Sequence, residues 1–127
     1  MTYNYNSDME KKCIISEKSL AFAVRIVNLS KNLRTKCYEK VLSNQILRSG
    51  TSIGANVEEA NGAQSDKDFV SEMSIAYKEC RETKYWLTLL HETKYLDDTQ
   101  FDSIHNDCIE LLKIIITIIK TKKKNMS

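Results

Sequence analysis

The chain has 127 residues, a length that suits one domain built around one hydrophobic core. Charged residues make up 28% and hydrophobic residues 42%, the balance of an ordinary soluble protein, and the formal net charge is only +2. The sequence contains no proline, which disfavours a loop-rich or all-β fold and permits long uninterrupted helices.

The first predicted helix spans about residues 16–34. Its apolar side chains recur every three or four residues, so they share one face of a helix. That face consists of Phe22, Ile26, Leu29 and Leu33. Three further side chains are expected to widen it, Leu20, Val24 and Val27. A short polar link follows near residues 35–38. Residues 1–12 are polar and are predicted to be frayed.

The second predicted helix runs from about Glu39 to Asn61, where Gly62 is placed to end it. Its inner face, with small or polar members halfway along, is Leu42, Ile46, Ser49, Ile53, Asn56 and Ala60. Gly50 and Gly54 each cost about 1 kcal/mol relative to alanine inside a helix. We expect the third, aromatic-bearing helix to approach the backbone closely at these glycines; a local kink is the alternative.

Capping boxes predict where the last two helices begin. Ser65 with Asp68 opens the third helix, which ends near Thr93, and Asp97 with Gln100 opens the fourth. The inner positions of the third helix are Phe69, Met73, Ala76, Cys80, Thr83, Leu87 and Leu90. The inner positions of the fourth helix are Phe101, Ile104, Cys108, Leu111, Ile115 and Ile118. Three further residues widen this apolar stripe, Leu112, Ile116 and Ile119. The tail from 122 to 127 is predicted to be disordered.

Four amphipathic helices with short links predict an all-α fold, an antiparallel up-down-up-down four-helix bundle. We expect a single domain over residues 1–127, with an ordered core of about 14–121. An α-solenoid fragment is the alternative, but the sequence shows no repeat period. The apolar stripes are broad enough to leave apolar surface exposed on a monomer, so we expect a homo-oligomer. Its candidate contacts are the aromatic residues flanking the third stripe, Tyr77, Tyr85 and Trp86.

A polar cluster is predicted between the second and third helices. Folding these helices about their link pairs positions whose numbers sum to about 127, which places Arg48 beside Glu79 and Glu82. We predict a partly buried ion pair there; solvated charges that contribute little are the alternative. The same structural cluster is expected to include Asn56 and Glu59.

Charge is divided along the chain. Residues 11–48 carry nine basic and two acidic side chains, residues 58–110 carry five basic and thirteen acidic, and the segment from 113 carries five lysines and no acid. Each end of an antiparallel bundle then holds both signs, which favours pairing within or between subunits. Some lysines could instead bind the phosphates of RNA or DNA, with a solubilising tail as the alternative. These candidates are Lys11, Lys12, Lys18, Lys120, Lys122, Lys123 and Lys124.

Nothing in the sequence supports a catalytic, cofactor-binding or metal site, so we predict that the protein is not an enzyme. It lacks the Glu-x-x-His motif of two-metal bundles, a P-loop, a dinucleotide fingerprint and a nucleophile elbow. His91 and His105 could approach each other but lack a fixed third ligand.

The sequence also predicts a cytoplasmic protein with no membrane partner. The longest apolar run, near residues 114–119, is far too short to span a bilayer, and the first residues do not form a secretory signal. The four cysteines form no CxxC pair and are expected to be reduced. Two of them, Cys80 and Cys108, are predicted to be small buried apolar residues.

The middle of the chain carries a family resemblance. Segments 47–60, 65–69 and 76–87 contain the pattern Arg-x-x-x-Ser-Ile-x-x-Asn-x-x-Glu and two third-helix carboxylates, present as Arg48, Ser52, Ile53, Asn56 and Glu59 with Glu79 and Glu82. Over about residues 16–120 the chain resembles bacterial four-helix-bundle proteins encoded in intervening sequences of large-subunit ribosomal RNA genes. It departs at Gly54, where the family commonly has proline, and at Ala63, where a basic residue is common. The second departure weakens any nucleic-acid role for that turn.

The resemblance implies an antiparallel bundle and, in better-described relatives, a homopentamer. A related group of bundles serves as accessory proteins of retroelement reverse transcriptases and binds nucleic acid through a basic surface. We therefore hypothesise a non-enzymatic, oligomeric assembly or accessory factor, with RNA or DNA as a candidate partner. The alternative hypothesis is a nucleic-acid-binding accessory protein of a reverse transcriptase or of ribosomal RNA.

Overall fold

A computed structural model describes residues 5–126, with only the backbone described for residues 5–8 and 11. Within residues 5–126 the chain forms helices and no strand. The helices are α1 (Tyr5–Thr35), α2 (Val41–Asn61), α3 (Asp66–Glu92) and α4 (Asp98–Met126). Each helix packs against the next in sequence, and α4 closes against α1. The predicted all-α four-helix bundle is therefore confirmed.

The starts of α2, α3 and α4 are capped by side chains that accept hydrogen bonds from backbone N–H groups. Ser65 Oγ accepts a hydrogen bond from the Asp68 N–H at 3.1 Å, as predicted. Asp97 and Gln100 form the predicted reciprocal box, with bonds of 2.7 and 3.0 Å. Glu39 was expected to begin α2, but its carboxylate caps the helix by accepting the Leu42 and Ser43 N–H groups at 2.8 and 3.1 Å. The helix therefore starts at Val41. These hydrogen bonds satisfy backbone N–H donors of the first helical turn, which have no acceptor inside the helix.

The outer helices are longer than the sequence pattern predicts. Helix α1 begins at Tyr5 instead of near Ser16, and α4 continues to Met126. Residues 5–12 and 122–126, where the sequence predicts a frayed segment and a disordered tail, are helical in the structure. Neither segment contains proline or glycine, so nothing interrupts the backbone hydrogen bonds. The last turn of α4 also has a tertiary contact, because Lys122 Nζ lies 3.4 Å from Asp66 Oδ1.

The core follows the heptad positions, even where the side chain is polar. All seven predicted positions of α3 are buried, and on α4 only Phe101 of the heptad set is half-buried. On α1 the prediction is wrong for Leu20 and Val24, which are 67% and 54% exposed, whereas Ser19 and Ser30 are buried. The serines fall on the inner face of α1, and the two apolar residues fall on its outer face. Position on the helix therefore decided burial there, and hydrophobicity did not.

The two glycines of α2 face α1, so the expectation that they face α3 is wrong. A Cβ atom on Gly50 would lie 2.7 and 2.8 Å from the two γ carbons of Ile26. A Cβ atom on Gly54 would lie 3.5 Å from the carbonyl oxygen of Ser19, which is ordinary contact. The close approach is present at Gly50. It involves α1 because successive residues of a helix are rotated by about 100°, so that Ser49 faces α3 and Gly50 does not.

We expect Gly50→Ala to lower the free energy of unfolding by up to about 2 kcal/mol. The overpacking cost of about 1–3 kcal/mol outweighs a helix-propensity gain of about 1 kcal/mol, because buried, β-branched Ile26 cannot move aside easily. Gly54→Ala is the matched control and should be neutral or stabilising by up to about 1 kcal/mol. Urea unfolding followed by circular dichroism measures both. Equal stability of the two variants would contradict this account of α1–α2 packing.

Candidate functional site

The structure brings Arg48 together with Glu79 and Glu82, as their spacing predicts. Arg48 Nη1 donates to Glu79 Oε2 at 3.2 Å, and Nη2 donates to Glu82 Oε2. Partial burial disfavours the charged guanidinium, but hydrogen bonds and Coulomb attraction from Glu82 and Glu79 outweigh it and raise the pKa of Arg48. The Arg48 side chain is 49% exposed. The trio therefore forms an ion-pair bridge on the outside of the α2–α3 seam.

The other two members of the predicted cluster do not join this bridge. Asn56 Nδ2 donates to the carbonyl oxygen of Ser52 on its own helix at 2.8 Å. Glu59 is exposed, and its backbone carbonyl oxygen accepts a hydrogen bond from the Gly62 N–H at 3.2 Å. Of the five residues predicted to form one cluster, three are therefore in contact. Its structural role stays a prediction.

A buried hydroxyl pair lies beneath the ion-pair bridge. Thr83 Oγ1 is 2.9 Å from Ser49 Oγ and 2.8 Å from the Glu79 carbonyl oxygen. Both side chains are fully buried, so each needs a hydrogen-bond partner inside the protein. The sequence pattern placed both residues on inner faces without indicating that they bond. The pair and the bridge together join α2 to α3 at the same level of the bundle.

A second buried hydroxyl pair joins α1 to α2. Ser30 Oγ and Ser43 Oγ are 2.7 Å apart, and Ser43 Oγ also donates to the Ser30 carbonyl oxygen at 3.0 Å. Neither serine was predicted, because the inner faces of α1 and α2 were identified mainly by their apolar side chains. Their spacing was the available signal: Ser30 lies four residues after Ile26, and Ser43 lies three residues before Ile46, at inner-face distances.

Most of the lysines proposed for nucleic-acid contact lie toward the end of the bundle where α1 begins and α4 ends, whereas Lys18 lies near the middle of α1. Two of them are paired with acids: Lys18 Nζ lies 2.9 Å from Glu110 Oε1, and Lys122 Nζ lies 3.4 Å from Asp66 Oδ1. The ammonium groups of Lys122 and Lys12 also lie 5.1 and 4.9 Å from the ring centre of Phe69. Part of the positive charge at this end is therefore used within the fold.

Three of the remaining lysines of that group are exposed to solvent. The side chains exposed to solvent on the last turns of α4 are Lys120, Lys123 and Lys124. The side chain of Lys11 lies outside the described residues. A cleft of about 580 Å³ opens at the same end and is lined in part by Lys12, Asn61, Phe69 and Lys122. Contact with nucleic acid stays a prediction for this whole group.

The three aromatic candidates for a subunit contact are unequally exposed. Tyr85 is 60% exposed, and its ring meets that of Trp86 edge-on with centroids 5.1 Å apart. Tyr77 and Trp86 are half-buried and pack against the core. The indole N–H of Trp86 is buried and has no hydrogen-bond acceptor among the described residues. Their part in oligomer formation stays a prediction.

The two histidines approach each other with an aromatic ring between them. His91 and His105 both stack on Phe101, at centroid distances of 4.2 and 4.6 Å. His91 Nε2 lies 2.7 Å from Asp98 Oδ1. Burial, followed by the charge of Lys84, lowers the pKa of His105. Within residues 5–126 no group of three or more His, Cys, Asp or Glu side chains is arranged to hold a metal ion.

None of the helices in the described chain is both long and apolar enough to cross a bilayer.

Comparison with known proteins identifies relatives of the chain. The model of the 23S rRNA-intervening sequence protein family matches residues 11–117. The fold is similar to the crystal structure of a protein with unknown function from the S23 ribosomal protein family of Bacteroides thetaiotaomicron VPI-5482. The two chains are 55% identical, the match covers 87% of this chain and 98% of that one, and the TM-score is 0.86. No curated protein matches. Neither description names an enzyme.

We expect a double-mutant cycle of Arg48→Met and Glu82→Gln to give a coupling energy of about 0.5–1 kcal/mol in unfolding free energy. The pair is half exposed, so solvent screens it and its contribution is small. Urea unfolding of the four proteins at low salt and at high salt provides the measurement, and the coupling should shrink at high salt. A coupling of several kcal/mol, unchanged by salt, would show that the bridge behaves as a buried ion pair.

Proposed function

This chain belongs to the 23S rRNA-intervening sequence protein family, and we propose that it is a non-enzymatic bundle that self-associates and acts as an assembly or accessory factor. The observation that carries the proposal is apolar surface left exposed on a bundle whose core is already filled. Leu20, Val24 and Tyr85 are 67%, 54% and 60% exposed. Exposed apolar patches on a folded domain commonly mark interaction sites.

The exposed apolar residues are arranged as a surface. Leu20 and Val24 are four residues apart, so they share the outer face of α1. Beside them, a groove of about 410 Å³ between α1 and α2 is lined in part by Leu20, Ala23, Gly54 and Ala55. We call this surface the α1–α2 patch. Its small side chains leave room for protruding side chains of another subunit.

A second surface on α3 supplies aromatic side chains of the kind that anchor protein interfaces. Tyr85 projects into solvent next to Trp86, and tyrosine and tryptophan contribute much of the binding energy in many interfaces. Because this surface and the α1–α2 patch lie on different helices, contact between them would be head-to-tail. Head-to-tail contacts close into rings when the rotation between subunits allows it. We propose a homopentamer, the number implied by the family resemblance.

A cytoplasmic location fits the cysteine chemistry. All four cysteines are free thiols, and two of them, Cys13 and Cys37, are exposed. Exposed free thiols suit a reducing compartment. We therefore place the proposed oligomer in the cytoplasm.

Light scattering should give a particle mass that is a multiple of 14.7 kDa, near five times that value, at micromolar concentration. Leu20→Glu together with Val24→Glu should reduce the mass, because charges would be buried against the neighbouring subunit. Asn106→Glu together with Thr117→Glu places the same two charges at exposed positions of α4, a helix that contributes to neither proposed surface, and should leave the mass unchanged. A 14.7 kDa wild-type particle at that concentration would overturn the proposal.

The second candidate function is nucleic-acid binding, as an accessory protein of a reverse transcriptase or of ribosomal RNA. The observation in its favour is the set of exposed lysines on the last turns of α4. Lys123 and Lys124 lie three and four residues after Lys120, so both neighbour it on the helix surface. Such a surface can follow a phosphate backbone. Lys18 and Lys122 would contribute less because they are paired with acids.

Fluorescence anisotropy with single-stranded RNA tests this second candidate. Reversing the three exposed α4 lysines to glutamate should weaken binding at least tenfold and reduce the slope of log affinity against log salt by about 2. Reversing Lys31, Lys36 and Lys40, exposed residues near the other end of the bundle, changes the net charge equally and should have little effect. Equal loss in both variants would indicate non-specific attraction, and no wild-type binding at low salt would remove the candidate.

A further inference from the structure

Two cysteines face each other in the core between α3 and α4. The Sγ atoms of Cys80 and Cys108 are 3.8 Å apart, close to van der Waals contact. Each Sγ also lies 3.5 Å from the carbonyl oxygen of the other cysteine. Both residues are fully buried free thiols. Because a cysteine side chain is short, these reciprocal contacts require the two helix backbones to lie close together here.

The close approach follows from the small side chains around Cys80 on the inner face of α3. Ala76 and Thr83, the neighbouring inner positions of that helix, are also small and fully buried. On α4, Cys108 lies between the inner residues Ile104 and Leu111. The heptad registers of the two helices therefore set the cysteines opposite each other. Their juxtaposition is a property of the packed bundle and requires no loop to move.

We propose that Cys80 and Cys108 are an oxidation site, at which a peroxide converts the two thiols into a disulfide that joins α3 to α4. A thiolate of one cysteine attacks the O–O bond of hydrogen peroxide, which forms a sulfenic acid and releases water after proton transfer. The second sulfur attacks the sulfenic sulfur, an S–S bond forms, and the S–O bond breaks to release a second water. The two thiols lose two electrons and one peroxide is reduced.

Burial makes this reaction slow and selects for a small oxidant. The hydrogen bond to Cys108, together with burial, raises the pKa of the Cys80 thiol, so little thiolate is present at neutral pH. A bulky disulfide reagent cannot reach sulfur atoms that have no solvent exposure. Once one sulfur is oxidised, however, the other is already in contact with it. The second step should therefore outrun further oxidation of the sulfenic acid.

The exposed cysteines cannot form an equivalent link within one chain. Cys13 lies near the start of α1, and Cys37 lies in the link that follows that helix. About 22 residues of helix, roughly 33 Å at 1.5 Å per residue, separate them. Oxidation of these two residues therefore leads to adducts or links between chains. Replacing both with serine isolates the buried pair.

Intact-mass spectrometry of the Cys13→Ser, Cys37→Ser protein tests the proposal. The folded protein is exposed to hydrogen peroxide, quenched with catalase, unfolded and treated with N-ethylmaleimide. We expect a monomer that is lighter by two hydrogen atoms, takes up no maleimide, and takes up two after reduction with a phosphine. Its Tm should exceed that of the reduced form by about 5–10 °C, because the link closes a loop in the unfolded chain.

Matched controls distinguish the buried link from other oxidation. Adding Cys80→Ser or Cys108→Ser to the same background should abolish both the mass loss and the rise in Tm. Three outcomes would overturn the proposal. Both buried thiols could stay alkylatable in the folded protein even at peroxide doses and times well beyond those that oxidise Cys13 and Cys37 of the wild-type protein. The thiols could go on to sulfinic acids, or the link could form only in urea. The mass result stands even if a serine variant fails to fold.

Discussion

Close packing of adjacent helices at small side chains is the constraint on which this bundle depends. At the α1–α2 seam Gly50 leaves no room for a β carbon. At the α2–α3 seam Ser49 and Thr83 bond to each other, and at the α3–α4 seam Cys80 and Cys108 touch. At these points the helices come near enough for short side chains to contact each other or for a Cβ to be excluded. Larger residues there would push the helices apart and lose dispersion contacts along the whole seam.

The fourth seam, between α4 and α1, is joined at its edge by different chemistry. Arg25 lies 2.5 Å from Asp107 Oδ2 and donates to Ser103 Oγ at 3.0 Å, and Lys18 pairs with Glu110. These ion pairs are partly exposed, so solvent screens them and each contributes little to stability. The separation of charge along the chain is therefore resolved partly within one subunit. Basic residues of α1 meet acidic residues of α4, which leaves less of that charge for a nucleic acid.

The surfaces that remain for partners are separate in space and different in character. The α1–α2 patch and the side chain of Tyr85 are apolar or aromatic, whereas the exposed lysines occupy the last turns of α4. Self-association through the apolar surfaces would leave that end of the bundle open. The two proposed activities therefore do not compete for the same residues. Folding uses the inner faces of the helices, and function is expected to use what folding leaves outside.

The sequence by itself determined the number of helices, the caps that begin α3 and α4 and the inner face of α3, because these depend on residues only a few positions apart. It also paired Arg48 with Glu79 and Glu82, since a short link fixes the register of two antiparallel helices. Only the tertiary structure decided that Gly50 faces α1 and that Leu20 lies outside. Each depends on how far a helix is rotated about its own axis. That rotation is set by all the neighbouring side chains together. One step along an α-helix turns the direction in which the side chain points by about 100°.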